Sequence, residues 1–361
     1  MSNRRHFHTF DALRFFAFLK VFLLHLPITA FPVFSYLKGG GGIGVDFFFV
    51  LSGFLITYII LEEKSISGKL NLKNFFVRRV LRIWPLFYLM ILIAFLTPQL
   101  ISLVGMTSSS EGYQPNWLMS CLFLENYKMM FSHMEPNVSP LGVMWSLCIE
   151  EHFYIIWGVA LFFLPVRKTP ILIVSALLVG TITRAIFISH GIGTFDVFSN
   201  IDFFAWGAIP AFLLIKYGEE LTASIAKIPF SMKVATIVLV IGYVFVSPNI
   251  QFSLKDNFEP VIFGIMFSSL LIIIIPEKNR IIISDRNVLS KLGIFTYGLY
   301  VYHTIVLNFL AQLSKMIGFS LQIPLNAIVF SLVSLGITIG ISVVSYHLFE
   351  KQFLKLKRIF Y

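Results

Sequence analysis

Ten runs of roughly twenty apolar residues, separated by short polar gaps, dominate this 361-residue chain and leave it very few ways to fold. About 20 such residues are needed to cross a bilayer core some 30 Å thick as a helix. In hydrocarbon every backbone N–H and C=O must find its partner within the protein, which helices do segment by segment. The runs fall at roughly 10–31, 43–62, 83–104, 142–164, 170–189, 197–216, 229–248, 258–275, 293–313 and 324–349. Only 13% of residues are charged, where a soluble domain carries roughly a quarter. The expected fold is all-α: one polytopic helical bundle in the membrane, covering 1–361, with no internal repeat and no additional soluble domain. The segment Trp117–Phe123 is too short to span and is assigned to the interface.

Charge distribution orients the bundle. The N-terminus, the loops 63–82, 165–169, 216–233 and 276–291, and the C-terminus together carry 21 of the 28 Lys and Arg residues. The alternate loops hold only Lys38, Lys128, Lys255 and Lys315, and Arg14, Lys20 and Arg184 lie within spans. By the positive-inside rule both termini are cytoplasmic, as an even number of crossings requires. The longest loop, about 105–141, is then extracytoplasmic. In a soluble protein a net charge of +10 would point to nucleic acid; here loop asymmetry accounts for it, and no nucleic-acid partner is expected. Cys121 and Cys148 give neither a disulfide framework nor a metal-ligand spacing, and no metal is expected. Arg4 and Arg5 before an apolar run resemble the start of a signal peptide. Arg14 and Lys20 interrupt the run, however, and no small-residue cleavage site follows, so it reads as an uncleaved span.

Ionisable groups inside spans are costly and face a protein interior or a wet cavity. Arg14 and His25 are eleven positions apart in the first span, so they share a helix face about 16 Å apart. Counting about 1.5 Å per residue from each entry point, His25, Glu150 on the fourth span and Arg184 on the fifth reach a similar level, with His303 near mid-membrane. A carboxylate beside a histidine orients its ring as a general base, so His25 and Glu150 are expected to pair. A structural ion-pair cluster is the competing reading of the same groups. Arg78-Arg79-Val-Leu-Arg82 stands at the cytoplasmic entrance of the third span. Arg79 and Arg82, three apart, present guanidinium groups suited to phosphate, although an anchor to anionic lipid would have the same composition. Gly39-Gly-Gly-Gly-Ile-Gly44 faces outside and lacks the Gly-Lys-Ser/Thr ending of a nucleotide loop. It is expected to form a tight turn, with Ser52-Gly53 permitting close helix packing. Asp46 has three readings: orienting an acceptor hydroxyl, pairing with Lys20, or complementing a helix N-terminus.

Together these segments resemble the membrane-bound acyltransferase family 3, from the first span to the C-terminus. Arg14 and His25 fit its Arg/Lys-x10-His signature, and Gly44-Val-Asp46-Phe-Phe-Phe-Val-Leu-Ser52-Gly53 is similar to its second-helix motif. Arg79-x-x-Arg82-Ile-x-Pro85 resembles its Arg-x-x-Arg element, and Trp145-Ser-Leu-Cys-Ile-Glu150-Glu-His-Phe153-Tyr154 its Trp-Ser-Leu-x-x-Glu segment. Tyr297-Gly-Leu-Tyr300-Val-Tyr-His303 and Tyr346-His-Leu-Phe-Glu350-Lys-Gln-Phe353 are similar to its last two helices. Thr296 departs from a common Ser, and Gln352 from a common proline. Some members carry a fused extracytoplasmic esterase-like domain; none is expected within this sequence.

The resemblance implies transfer of an acyl group, usually acetyl from acetyl-CoA, to a sugar hydroxyl of a surface glycan or lipid-linked saccharide such as O-antigen, capsule, exopolysaccharide or peptidoglycan. The enzyme would sit in the bacterial inner membrane. On this reading His25, Glu150 and Arg14 form the catalytic set, and Arg79, Arg82 and Arg78 hold the CoA phosphates. Asp46, Ser52, Arg184, Tyr297 and His303 are candidates for acceptor or oxyanion contacts. Direct transfer and a covalent acyl-enzyme relay both fit the residues. The alternatives are an acyltransferase for a macrolide or other small metabolite and, in a different class, a transporter or flippase.

Overall fold

The computed structural model describes residues 5–103, 111–276 and 281–360. Ten long helices form the bundle: α1 (Thr9–His25), α2 (Ile43–Ser67), α3 (Leu72–Ser102), α4 (Leu141–Phe163), α5 (Thr169–Ser189), α6 (Ile201–Lys227), α7 (Phe230–Val246), α8 (Lys255–Ile274), α9 (Thr296–Met316) and α10 (Pro324–Ser345). Each coincides with one of the ten apolar runs. Among the described residues no strand forms, only an isolated bridge between Tyr113 and Pro136. The fold is therefore the expected all-α membrane bundle. Part of the long loop near 105 lies outside the described residues.

Eight of these helices are long and apolar enough to cross a membrane by themselves; α1 and α9 are not among them. Helix α1 has 17 residues, about 26 Å of rise, and stops six residues before the end of the expected span. Pro27 is the physical reason. A residue preceding proline is pushed out of the helical region, and Leu26 is extended at φ −59°, ψ 126°. The chain then turns back through a short helix, Pro32–Lys38, and the glycine turn Gly39–Gly42, with Gly40 at φ +63°. Buried Lys20 donates to the carbonyls of Leu37 and Gly39 at 2.9 and 2.6 Å, capping that short helix rather than pairing with Asp46.

At the other end of the chain, α10 runs on past the expected limit at 349. A π-helical turn at Tyr346–Glu350 leads into Lys351–Leu356 and a final turn at Lys357–Phe360. Gln352, unlike proline, keeps the backbone N–H this continuation uses.

The core centres on α2, α4 and α6. Gly53 and Gly207 let α2 and α6 touch backbone to backbone. A Cβ on Gly53 would lie 2.0 Å from the Phe204 carbonyl oxygen, and one on Gly207 1.9 Å from that of Val50. Around this crossing Phe204 stacks on Phe153 of α4 and Phe49 of α2, at 3.9 and 4.7 Å between ring centroids. Trp157 of α4 donates to the Thr57 hydroxyl at 2.8 Å, satisfying two buried polar groups across the same interface.

The basic segments gather at one end. Arg5 donates to the Ile275 carbonyl, and the Ile283 N–H to the Thr9 hydroxyl. Lys64 caps the end of α4 through the carbonyls of Leu161, Phe162 and Leu164. Arg78 ties Glu63 to the Phe360 carbonyl. We call this the basic end.

Candidate active site

Two cavities open into the bundle from opposite ends, and α1, α4 and α9 contribute to both. The smaller, at the basic end, has a volume of about 380 Å³. It carries four cationic side chains (Arg14, Arg79, Arg82 and Lys357) and three acidic ones (Asp11, Glu150 and Glu350), with Tyr154, Tyr297, Tyr300 and Tyr346 between them. The larger, about 1510 Å³, is lined by His25, Ser139, Val143, Thr304, Asn308 and Gln312 among others.

One face of each helix serves both, and position along that face decides which cavity a side chain lines. On α9, Tyr297 and Tyr300 face the basic cavity, while Thr304 and Asn308 face the large one. On α4 the change comes between Val143 and Ser146. On α1 it comes between Arg14 and His25. At the level between the two cavities, Tyr300 and Ser146 share a hydrogen bond of 2.7 Å, and the Tyr300 hydroxyl donates to the Val143 carbonyl at 3.0 Å.

In the basic cavity Arg14 pairs with Asp11 at 2.5 Å. Glu150 accepts from Ser52 at 2.9 Å and from Tyr154 at 3.2 Å. Ser52 is thereby a carboxylate-holding residue on α2. The Tyr297 hydroxyl donates to the Ile83 carbonyl at 2.8 Å, which fixes its ring in the cavity wall. Lys357 reaches the cavity because the chain continues past Glu350 as a helix. The result is a narrow, cation-rich slot with the half-buried Glu150 carboxylate held by Ser52 and Tyr154, a suitable setting for an anionic ligand.

His25 closes α1 at the floor of the large cavity. Its Nδ1 lies 2.9 Å from the Val21 carbonyl and 3.2 Å from His303 Nε2. His303, fully buried on α9, has its Nδ1 2.6 Å from the Tyr300 carbonyl. A carbonyl only accepts, so we assign the proton of His303 to Nδ1, which leaves Nε2 as an acceptor. His25 then carries its own proton on Nδ1, shared between Val21 and His303. Its Nε2 keeps a lone pair, and the ring lines the large cavity: the form a general base requires.

The structure thus corrects the expected His25–Glu150 pairing. Each has other partners, His303 for His25, and Ser52 and Tyr154 for Glu150. Similar depth did not bring them together, because the Tyr300–His303 segment of α9 stands between the two cavities. Arg184 is also placed elsewhere. It forms a buried double hydrogen bond to Asp202, at 2.8 and 2.6 Å, and donates to the Ser199 carbonyl, joining α5 to α6. It lines neither cavity, so the structural ion-pair reading describes it. Asp46 lines neither cavity either, and faces Arg184, Asp202 and Glu259 electrostatically. Arg78, committed to Glu63 and Phe360, is a brace beside the basic cavity. Arg79, Arg82, Arg14, Ser52 and Tyr297 line the basic cavity as a group.

Sequence reasoning did not assign Lys357, Glu350, Tyr346, Tyr154 or Tyr300 to the site. For Lys357 the signal was masked by its place in a basic tail. For Tyr300 it was legible, three residues before His303 on one helix face.

The fold and site define a polytopic helical membrane protein with two end-on cavities and a buried histidine pair beside the larger one. The family described as acyltransferase domain matches residues 7–347, and the chain belongs to that family.

Among curated proteins, the peptidoglycan O-acetyltransferase OatA of Listeria monocytogenes is 38% identical over 180 residues, covering 48% of this chain and 27% of its own length. The putative peptidoglycan O-acetyltransferase YrhL of Bacillus subtilis is 38% identical over 162 residues, 43% of this chain and 24% of its own. The O-acetyltransferase OatA of Staphylococcus aureus is 26% identical over 335 residues, 86% of this chain and 52% of its own. The chain therefore spans about half or less of the length of these relatives. No solved structure matches it.

Proposed function

We propose that the protein is a bacterial membrane O-acetyltransferase that moves an acetyl group from cytoplasmic acetyl-CoA to a sugar hydroxyl of the cell wall, peptidoglycan being the polymer named for its relatives. The observation that carries this reading is the pair of cavities at opposite ends of the same helices, with His25 on the wall of the large one and the Tyr300–His303 segment of α9 between them. The basic cavity is the donor site, open to the cytoplasm as the positive-inside rule directs. Arg79, Arg82, Arg14 and Lys357 hold donor phosphates there. The ~16 Å of rise between Arg14 and His25 is spanned by the donor's pantetheine arm, which passes the Tyr300–Ser146 bond.

The large cavity takes the glycan, or a lipid-linked saccharide, from outside. His25 Nε2 accepts the proton of the attacking hydroxyl as that oxygen adds to the thioester carbonyl. Collapse of the adduct breaks the C–S bond, and the proton passes from His25 to the departing sulfur. No metal is required for these steps.

The test is expression of the full chain in a bacterium, followed by mild alkaline release of acetate from purified wall polymer. Wild type is expected to add alkali-labile acetate to the wall, and His25→Ala, expressed at an equal level, to add none. Label from acetyl-CoA appearing on O-antigen, capsule or a small metabolite instead would overturn the wall assignment. Membranes that translocate a saccharide without acetylating it would overturn the enzyme assignment.

A further inference from the structure

We propose that His6, His8 and Asp285 form a binding site for a divalent transition-metal ion at the basic end of the bundle, apart from both cavities. His6 Nε2 and His8 Nδ1 converge on one carboxylate oxygen of Asp285, at 3.1 and 2.7 Å. All three potential ligand atoms lie within 4.8 Å of one another. A tetrahedral zinc ion with bonds near 2.1 Å separates its ligand atoms by about 3.4 Å. The existing geometry therefore admits an ion after small side-chain rotations and no backbone movement.

The rings stand edge-on, 4.7 Å apart at 84°, so their nitrogens converge rather than stack. Imidazole nitrogen with one carboxylate suits zinc, nickel, cobalt or copper better than magnesium or calcium. Side-chain exposures of 58, 41 and 46% leave room for water in the remaining coordination position.

The frame is held in place without the ion. His6 and His8 precede α1, and Asp285 lies in the connection between α8 and the short helix Val288–Gly293. These two segments are already joined by the Ile283–Thr9 and Arg5–Ile275 hydrogen bonds. Metal entry replaces the two hydrogen bonds to Asp285 with one ion, as each ring presents a lone pair at the ligating nitrogen and its proton moves to the other ring nitrogen or, from a protonated ring, to water. Cysteine spacing gave no hint of such a site, since its ligands are histidines near one terminus and a carboxylate 277 residues away.

The experiment uses the full chain in detergent, purified through a tag free of histidine, with ZnCl2 and CoCl2 as probes. Wild type is expected to bind one Zn2+ per chain, and Co2+ to give the visible absorption of a nitrogen-ligated site. His6→Ala and Asp285→Asn should each lower Zn2+ affinity by about tenfold or more, at least the effect of losing an outer-shell partner. Helix content should be unchanged, because the residues lie on the surface. A wild type with no Co2+ absorption, or variants that bind Zn2+ as tightly as wild type, would reduce the cluster to a hydrogen-bonded clasp and overturn the proposal.

Discussion

At the scale of single residues, the informative contrast is between two intramembrane groups that looked alike in sequence. Arg184 and His25 are both ionisable groups in apolar spans. Arg184 finds Asp202 and Ser199 and is fully engaged. His25 is held through one nitrogen only, and its other nitrogen belongs to a ring on a cavity wall. Spacing along α1 made Arg14 and His25 legible as a pair on one face. Their partners were not legible, because side-chain contacts across helices depend on azimuth as well as depth.

The His25–His303 geometry makes a graded prediction. Loss of His25, the proposed base, should cost about 10²–10⁴-fold in acetyl transfer. His303→Ala leaves the Val21 carbonyl to orient His25, so its loss should be smaller and accompanied by an altered pH–rate profile. Acetyl transfer measured across pH in membranes from both variants checks this. Equal losses in the two variants would mean that His303 acts on the substrate, and no change in His303→Ala would remove its orienting role.

At the scale of helices, the ten apolar runs located the ten elements, and the errors sit at ends. Helix α1 stops early because Pro27 forces Leu26 to extend. The C-terminal helix continues late because nothing in Tyr346–Glu350 removes a backbone donor. Both errors matter to the site: the first places His25 at a helix tip, and the second brings Lys357 into the basic cavity. The Ser52-Gly53 dipeptide was readable as a close-packing signal, and its partner Gly207 was not, since nothing local marks which helix will cross.

That crossing predicts the consequence of adding volume. Gly53→Ala and Gly207→Ala each place a methyl group against backbone, which has no rotamer by which to yield. Overpacking a filled core costs about 1–3 kcal/mol, and rigid backbone neighbours put these sites toward the upper end. Thermal unfolding in detergent should show both variants less stable than wild type, while Gly242→Ala, whose Cβ would meet nothing within 4 Å, stays near it. Equal stability of the three variants would show that α2 and α6 do not meet through these residues.

For the whole molecule, the proposed division of labour between two cavities is what makes function testable in parts. A single pocket would couple donor and acceptor effects in every variant. Here Arg14, Arg79, Arg82 and Lys357 line the cavity at one end of the bundle, and Asn308 and Gln312 line the one at the other. The sequence supplied the sidedness argument through its loops, but it described the C-terminal cations only as bulk charge. Folding selects Lys357 from that group by carrying the chain back across the mouth of the basic cavity, where Arg78 holds the Phe360 carbonyl at 2.8 Å.

Lys357→Gln should therefore raise the KM for acetyl-CoA and leave the acceptor KM unchanged, whereas Gln312→Ala should do the reverse. A phosphate contact of this kind contributes about 1.5–3 kcal/mol as a charged hydrogen bond, so the donor KM should rise about tenfold or more. Inside-out membrane vesicles, which in the proposed orientation present the basic end to added acetyl-CoA, should acetylate a glycan acceptor enclosed within them. Right-side-out vesicles given the same donor outside should not. Activity only in right-side-out vesicles would reverse the bundle. A Lys357→Gln enzyme with altered acceptor KM and unchanged donor KM would exchange the roles of the two cavities.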